Sequence, residues 1–234
     1  MSATITFARP DGKPCSGYYV EPAGGAAHAA GASAPGIVVI QEWWGLNDQI
    51  KGVADRLSQA GYRVLVPDLY RGKLGLAAKE AEHLMTGLDF ADAATQDIRG
   101  AILYLKGSSA KVGVTGFCMG GALTILTAVF VREADAAVCW YGFPPLDYVD
   151  ATQVTAPLMG HFATQDAFFP IAGADALAEK LSSAAVPHQF FKYDASHAFA
   201  NERPEDPSVP VKYDAAAADL AWQRTMPFLK THLG

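Results

Sequence analysis

The sequence predicts an α/β fold: a mostly parallel central sheet of about eight strands, covered by helices on both faces, with an antiparallel hairpin at its N-terminal edge. Three observations carry this expectation. Short apolar, β-branched runs alternate with longer stretches of helical periodicity along most of the chain. Several of those runs, residues 37–40 and 112–115 among them, are apolar throughout, as strands buried on both faces are. The chain has 234 residues and no internal repeat, enough for one domain with a sizeable core, so residues 1–234 read as a single α/β domain.

Taken in order, residues 4–8 and 17–21 alternate about Pro10-Asp11-Gly12 and read as the edge hairpin. Residues 22–36 are small, polar or glycine-rich and read as a surface loop. The strand at 37–40 runs into Gln41-Glu42-Trp43-Trp44-Gly45, and Asn47 is placed to cap a helix that extends to about 60 and closes at Gly61. Residues 62–66 form the next strand, ending at Pro67-Asp68. Residues 71–90 are less regular, with a short helix around 77–85. In 91–106, Ile98, Ala101, Ile102 and Leu105 recur at helical spacing and predict one amphipathic helix. Further strands are expected at 136–141, 157–162 and 188–193, and a helix at 171–184. A last helix is expected from 211 to about 232, kinked or ended by Pro227.

Composition narrows the function. Half of the residues are hydrophobic and 18% are charged, as in a globular protein. The net charge of -6 leaves no basic footprint, which argues against nucleic acid and anionic membranes. The N-terminus lacks a basic head followed by an apolar core, so no signal peptide is expected. No apolar run approaches the roughly 20 residues that span a bilayer. Cys15, Cys118 and Cys139 are too far apart for a disulfide framework or a metal pattern and suit a reducing compartment. The expectation is a cytoplasmic monomer without a metal.

The chemistry centres on Gly116-Phe117-Cys118-Met119-Gly120, set between a buried strand and a long apolar helix. This is the G-x-S-x-G strand–turn–helix pattern with cysteine in the place of the nucleophile. The glycines allow the chain to fold tightly around a strained residue, and the turn puts the first amides of the helix beside the sulfur. Alone, the motif is also compatible with phosphate binding or with a cysteine that is merely a small hydrophobe. What lies downstream favours catalysis. In a parallel sheet the loops after the carboxyl ends of the strands share one edge, where ligands bind. Five such loops carry Glu42, Asp68, Cys118, Asp166 and His197. The order nucleophile, acid, histidine is that of hydrolases built on this architecture. His197 would take the proton of Cys118, Asp166 would fix the imidazole tautomer, and Cys118 would attack an acyl carbon to form a thioester. The amides of Trp43 and Met119 would form the oxyanion hole.

Other notable residues have quieter readings. Asp68 follows a proline at a strand end and reads as a turn cap. Tyr141 reads equally as a substrate contact and as a core tyrosine. Trp43 and Trp44 read as pocket walls, one of them part of the core. His161 reads as packed; His28, His83, His188 and His232 as surface or edge residues; Cys15 and Cys139 as inert; Lys79, Glu80 and Glu82 as a solvated helix face.

The motifs Gln41-Glu42-Trp43-Trp44-Gly45, Pro67-Asp68-Leu69-Tyr70, Gly116-Phe117-Cys118-Met119-Gly120-Gly121, Gln165-Asp166 and Ser196-His197-Ala198-Phe199 together resemble the dienelactone hydrolase (carboxymethylenebutenolidase) family over nearly the whole chain. The resemblance implies the α/β-hydrolase fold, a Cys118-His197-Asp166 triad, hydrolysis of an enol-lactone or activated ester, and no cofactor. It also implies that Glu42 keeps the resting thiol protonated until substrate arrives, since a thiolate beside an anion is disfavoured. One departure matters. Typical members of the family grip a substrate carboxylate with two arginines. The position four residues after the histidine is here Asn201, with Arg203 in a different register; in the segment after Leu69-Tyr70, Arg71 and Lys73 stand early. An asparagine does not replace a bidentate arginine. The candidate substrate contacts are Trp44, Phe117, Tyr141, Arg71, Asn201 and Arg203; the expected substrate is a dienelactone-type lactone or small activated ester, and the unmatched clamp makes a neutral or larger ester the alternative. The alternatives are a broader esterase, a non-catalytic binding protein, and a thiol redox protein; the last is weakened by the lack of a resolving cysteine near Cys118.

Overall fold

A computed structural model of the chain describes residues 1–22, 34–202, 206 and 208–234. The expected surface loop lies mostly on 23–33, outside the described residues, as do His28 and Arg203.

Eight strands form one sheet in the order β1-β2-β4-β3-β5-β6-β7-β8. β1 (Ser2–Ala8) and β2 (Pro14–Val20) make the antiparallel hairpin, and β2 pairs antiparallel with β4 (Arg63–Pro67). From there β3 (Gly36–Ile40), β5 (Val112–Phe117), β6 (Ala136–Trp140), β7 (Leu158–Ala163) and β8 (His188–Tyr193) run parallel to β4. The chain leaves β3 toward β4 and returns on the other side to β5. The strand order therefore reverses between β3 and β5, and the loops leaving those two strands diverge around a crevice.

The inner strands show why an unbroken apolar run is needed. Ile37 and Val39 of β3 pack with Ile50 and Leu57 on one face of the sheet; Val38 and Ile40 pack with Ile98 and Ile102 on the other. All eight side chains are fully buried. Burying a side chain of this size contributes about 1.5–3 kcal/mol, so a polar residue on either face would weaken the sheet.

α1 (Asp48–Gln59) begins as expected, with the Asn47 side chain accepting from the Ile50 amide at 3.1 Å, and Gly61 follows it at φ 99°. α2 (Ala78–Thr86) matches the short helix read from the sequence. The helix predicted over 91–106 differs. α3 (Phe90–Asp92) passes through six π-helical residues, Ala93–Ile98, before α4 (Arg99–Lys106). Within that wide turn Asp97 is buried and accepts from Arg9 Nη1 at 3.1 Å and from Arg71 Nη2 at 2.8 Å. Both partners come from distant parts of the chain, so helical periodicity carries no trace of them.

α5 (Met119–Phe130) and α6 (Ile171–Ser183) follow β5 and β7. The last helix, α7 (Ala215–Leu233), begins at 215 instead of 211. Asp214 caps it by accepting from the Ala217 amide at 2.9 Å, while its own amide donates to Phe199 O at 2.9 Å and ties the preceding segment to the loop after β8. Pro227 lies inside α7 and does not end it. Among the described residues no helix is long and apolar enough to cross a membrane.

Candidate active site

Cys118 stands between the last residue of β5 and the first of α5, at φ 55° and ψ -118°. A non-glycine residue in this region costs about 1–3 kcal/mol and persists only where its surroundings hold it. They do so here: the Cys118 amide donates to Trp140 O at 3.0 Å, and its carbonyl accepts from Gly121 N at 2.9 Å and Ala122 N at 3.2 Å. The motif's glycines are steric requirements. A Cβ at Gly120 would lie 2.5 Å from Ile40 O and 2.6 Å from Gln41 O, and one at Gly116 would lie 2.7 Å from Thr124 Oγ1. Met119, as the first residue of α5, has an amide with no acceptor inside the helix.

Asp166 follows β7 and His197 follows β8, so both reach the sheet edge where Cys118 sits. His197 Nδ1 lies 2.8 Å from Asp166 Oδ2. The other carboxylate oxygen accepts from the Phe168 and Phe169 amides, both at 2.8 Å, which fixes the acid's plane. Burial alone would lower the pKa of His197. The charge the Cys118 sulfur carries once its proton has left, the bonds to Asp166 and Cys118 and the charge of Asp166 outweigh it and raise the imidazole well above its ordinary value, so the ring keeps the proton it receives. Phe169 stacks on the imidazole with centroids 5.5 Å apart, and Tyr141 meets it edge-on at 5.2 Å.

Cys118 and His197 open into one cavity of about 230 Å³, walled by Trp43, Trp44, Phe168 and Phe169. Glu42, leaving β3, lies on the same cavity and is 3% exposed. Its two oxygens accept from the Tyr141 hydroxyl at 3.3 Å and from Asn201 Nδ2 at 2.8 Å. Burial, and then the negative charges of Glu42 and Cys118, push the Tyr141 hydroxyl well above the ordinary tyrosine range, so it stays a donor.

The sequence-derived candidates divide here. Trp43, Trp44, Met119 and Asn201 line the cavity with Glu42, Cys118 and His197. Phe117 does not: it is fully buried and stacks on Trp140 at 5.0 Å, because β5 still runs between two packed faces at that point. Tyr141 lies just beyond β6 at φ 36° and holds Glu42 instead of lining the cavity. Arg71 is turned to Asp97 and Cys15 and is no cavity residue. Asp68 is the cap it was read as, accepting from Tyr70 N at 3.1 Å and from Gly72 N. Cys139 is buried in the core, and His161 is packed with both ring nitrogens bonded to hydroxyls.

The sequence reading missed Phe168, Phe169, Met85, Val209 and Val211 as cavity residues. The two phenylalanines carried a signal, since an aromatic pair stands two and three residues after Asp166 in Gln165-Asp166-Ala167-Phe168-Phe169. Met85 and the valines carried none. They arrive through the path of segments whose course is set by remote contacts.

The model of the dienelactone hydrolase family matches residues 23–233. "Protein usf" of Aquifex pyrophilus is 35% identical over 210 residues, covering 85% of this chain and 89% of that protein. The "Putative carboxymethylenebutenolidase" of Aquifex aeolicus is 30% identical over 210 residues with the same two coverages. A solved dienelactone hydrolase-like promiscuous phosphotriesterase from metagenomic libraries matches with a TM-score of 0.85 over 100% of this chain and 99% of that one; at 21% identity the likeness is one of fold. With its family model extending across residues 23–233, this chain belongs to the dienelactone hydrolase family of ester and lactone hydrolases.

Proposed function

We propose that the protein hydrolyses a neutral lactone or activated ester through a thioester on Cys118, with His197 as base and acid and Asp166 orienting it. The observation that carries this reading is the 2.8 Å contact of His197 Nδ1 with Asp166, which leaves Nε2 for the thiol on the shared cavity. His197 takes the Sγ proton as sulfur attacks the acyl carbon. The amides of Met119 and Trp43 hold the oxyanion. As the tetrahedral species collapses, the carbon–oxygen bond breaks and the leaving oxygen takes the proton from His197. A water molecule, deprotonated by His197, then attacks the thioester; the acid departs and the thiol regains its proton.

Glu42 fits the thiol-control role because it shares the cavity with Cys118 and is held there by a neutral hydroxyl and a neutral amide. The same contacts bear on specificity. Asn201 stands at the clamp position and spends its amide on Glu42, and Arg71 is engaged by Asp97. Among the described residues the cavity is lined by no lysine or arginine, and a neutral ester suits that lining better than a carboxylate-bearing lactone.

The test is steady-state and burst kinetics with p-nitrophenyl acetate and a carboxylate-bearing dienelactone. The acetate should show a burst of one equivalent and clear turnover, with the dienelactone turned over poorly. Cys118→Ala should abolish both reactions, a loss of at least about 10³-fold, without unfolding the protein. Activity retained in that variant would overturn the mechanism, and efficient dienelactone turnover would overturn the specificity.

A further inference from the structure

Beside the reactive cavity runs a second, larger hollow of about 460 Å³. Met85, Met119 and Phe169 line both, so the two are neighbours across these three side chains. The hollow passes over the side of α5, along Ala122 and Leu126, to Phe130, and its other wall is Phe90, Phe143 and Tyr148. Two of these side chains lie open to solvent: Phe130 is 47% and Tyr148 65% exposed. An apolar surface of this kind beside a reactive cavity has the character of a ligand groove. Its one charged wall residue, Asp89, is occupied as the cap of α3, accepting from Ala91 N at 2.9 Å and Asp92 N at 3.0 Å. Among the described residues the groove thus has no cationic side chain for an anionic chain end, and its lining is mostly apolar.

We propose that this groove is an acyl-chain subsite, and that the substrate class is a neutral ester whose acyl part is an extended apolar chain running from Cys118 past Met119 toward Phe130. This rests on the hydrolase reading above. The direction follows from the placement of His197. The leaving oxygen must sit by the imidazole that protonates it; His197, Ala198 and Asn201 line the reactive cavity but not the groove, and Phe169, stacked on His197, stands between the ring and the groove. Met119 lines the groove and its amide is the proposed oxyanion donor, so a chain entering there is assigned as the one left on sulfur after the alcohol departs.

The experiment compares kcat/KM for p-nitrophenyl acetate, butyrate and octanoate, and for ethyl and octyl acetate, in wild type, Ala91→Trp and Phe130→Asn. Ala91 is an exposed residue of the groove wall, so the tryptophan fills space without entering the core. Each buried methylene is worth at most about fourfold, and the octanoate-to-acetate ratio should reach at least about tenfold in wild type and fall toward one in both variants. A flat alkanoate series, or one that survives both variants, would overturn the subsite. A rising alkyl-acetate series beside a flat alkanoate series would overturn the acyl assignment and give the groove to the alcohol. Calorimetric binding of unreactive N-methyloctanamide against N-methylacetamide separates this proposal from the one beneath it. Chain-dependent binding that Ala91→Trp removes, in a protein without esterase activity, would sustain the groove and sink the hydrolase reading. Cys118-dependent acetate hydrolysis without such binding would do the reverse.

Discussion

Two buried histidines one strand apart are held in opposite states. His161, on β7, places Nδ1 2.8 Å from the Tyr193 hydroxyl and Nε2 2.8 Å from Thr225 Oγ1. Burial, helped by the positive charge of Arg224, pushes it down to about 3. His197, after β8, is almost as buried, yet charge on Cys118 and Asp166 raises it. Depth in the protein therefore does not separate a structural histidine from one suited to proton transfer. The partner does. A hydroxyl can donate or accept and so satisfies a neutral ring, whereas a carboxylate, which only accepts, fixes the Nδ1–H tautomer and favours the ring that gains a proton.

The sharpest way to break this contrast is Asp166→Asn. The amide oxygen can still accept from Phe168 and Phe169, but its NH₂ would face Nδ1 and select the wrong tautomer. We expect kcat to fall about 10³–10⁴-fold with little loss of stability. A loss below tenfold would remove Asp166 from the proposed triad. His161→Phe should do the opposite. It leaves two buried hydroxyls without the ring, so stability should fall by about 2–4 kcal/mol in chemical denaturation while kcat of the folded protein stays within a few-fold. A collapse of kcat in a stable protein would mean that His161 takes part in the chemistry.

The pH dependence of stability should separate the two with opposite signs. His161 is neutral when folded and protonates below about 6.5 when unfolded, so its contribution is present above that value and lost by up to about 1.4 kcal/mol per unit as pH falls toward about 3. His197 has its folded pKa raised, so its contribution is full below about 6.5 and is lost as pH rises through the folded value. Unfolding free energies measured from pH 4 to 10 for wild type, His161→Phe and His197→Gln would show it: the first variant should flatten the acid side and the second the alkaline side. Parallel curves would refute both assignments. The smallest expected effect is that of Glu42→Gln. Removing a negative charge beside the thiol should move the pH midpoint of Cys118 alkylation downward, by up to about one unit. An unmoved midpoint would take Glu42 out of thiol control.

Much of the fold and the elbow was legible because the forces involved are local. The inner strands must be apolar on both faces, so residues 37–40 and 112–115 declare themselves. Gly116 faces Gly120 and Thr124, within two turns of Cys118, so its spacing in the chain carries the geometry; Gly120 faces Ile40 O and Gln41 O, which only the pairing of β3 with β5 brings near. Asn47 caps an amide three residues away. Asp166 and His197 were legible as strand-end residues, but their 2.8 Å contact joins positions 31 residues apart.

Residue type and spacing in the sequence determined where the strands lie, which turn carries a strained cysteine and which loops share its edge. Tertiary structure alone decided the rest. It turned Phe117 into the core, set Tyr141 and Asn201 on Glu42, spent Arg71 on Asp97, drew the helix at 93–98 into a π turn and brought Met85, Val209 and Val211 to the cavity. The physical reason is common to all of them. Each assignment depends on which distant group arrives within bonding or packing distance, and local periodicity contains no information about that arrival.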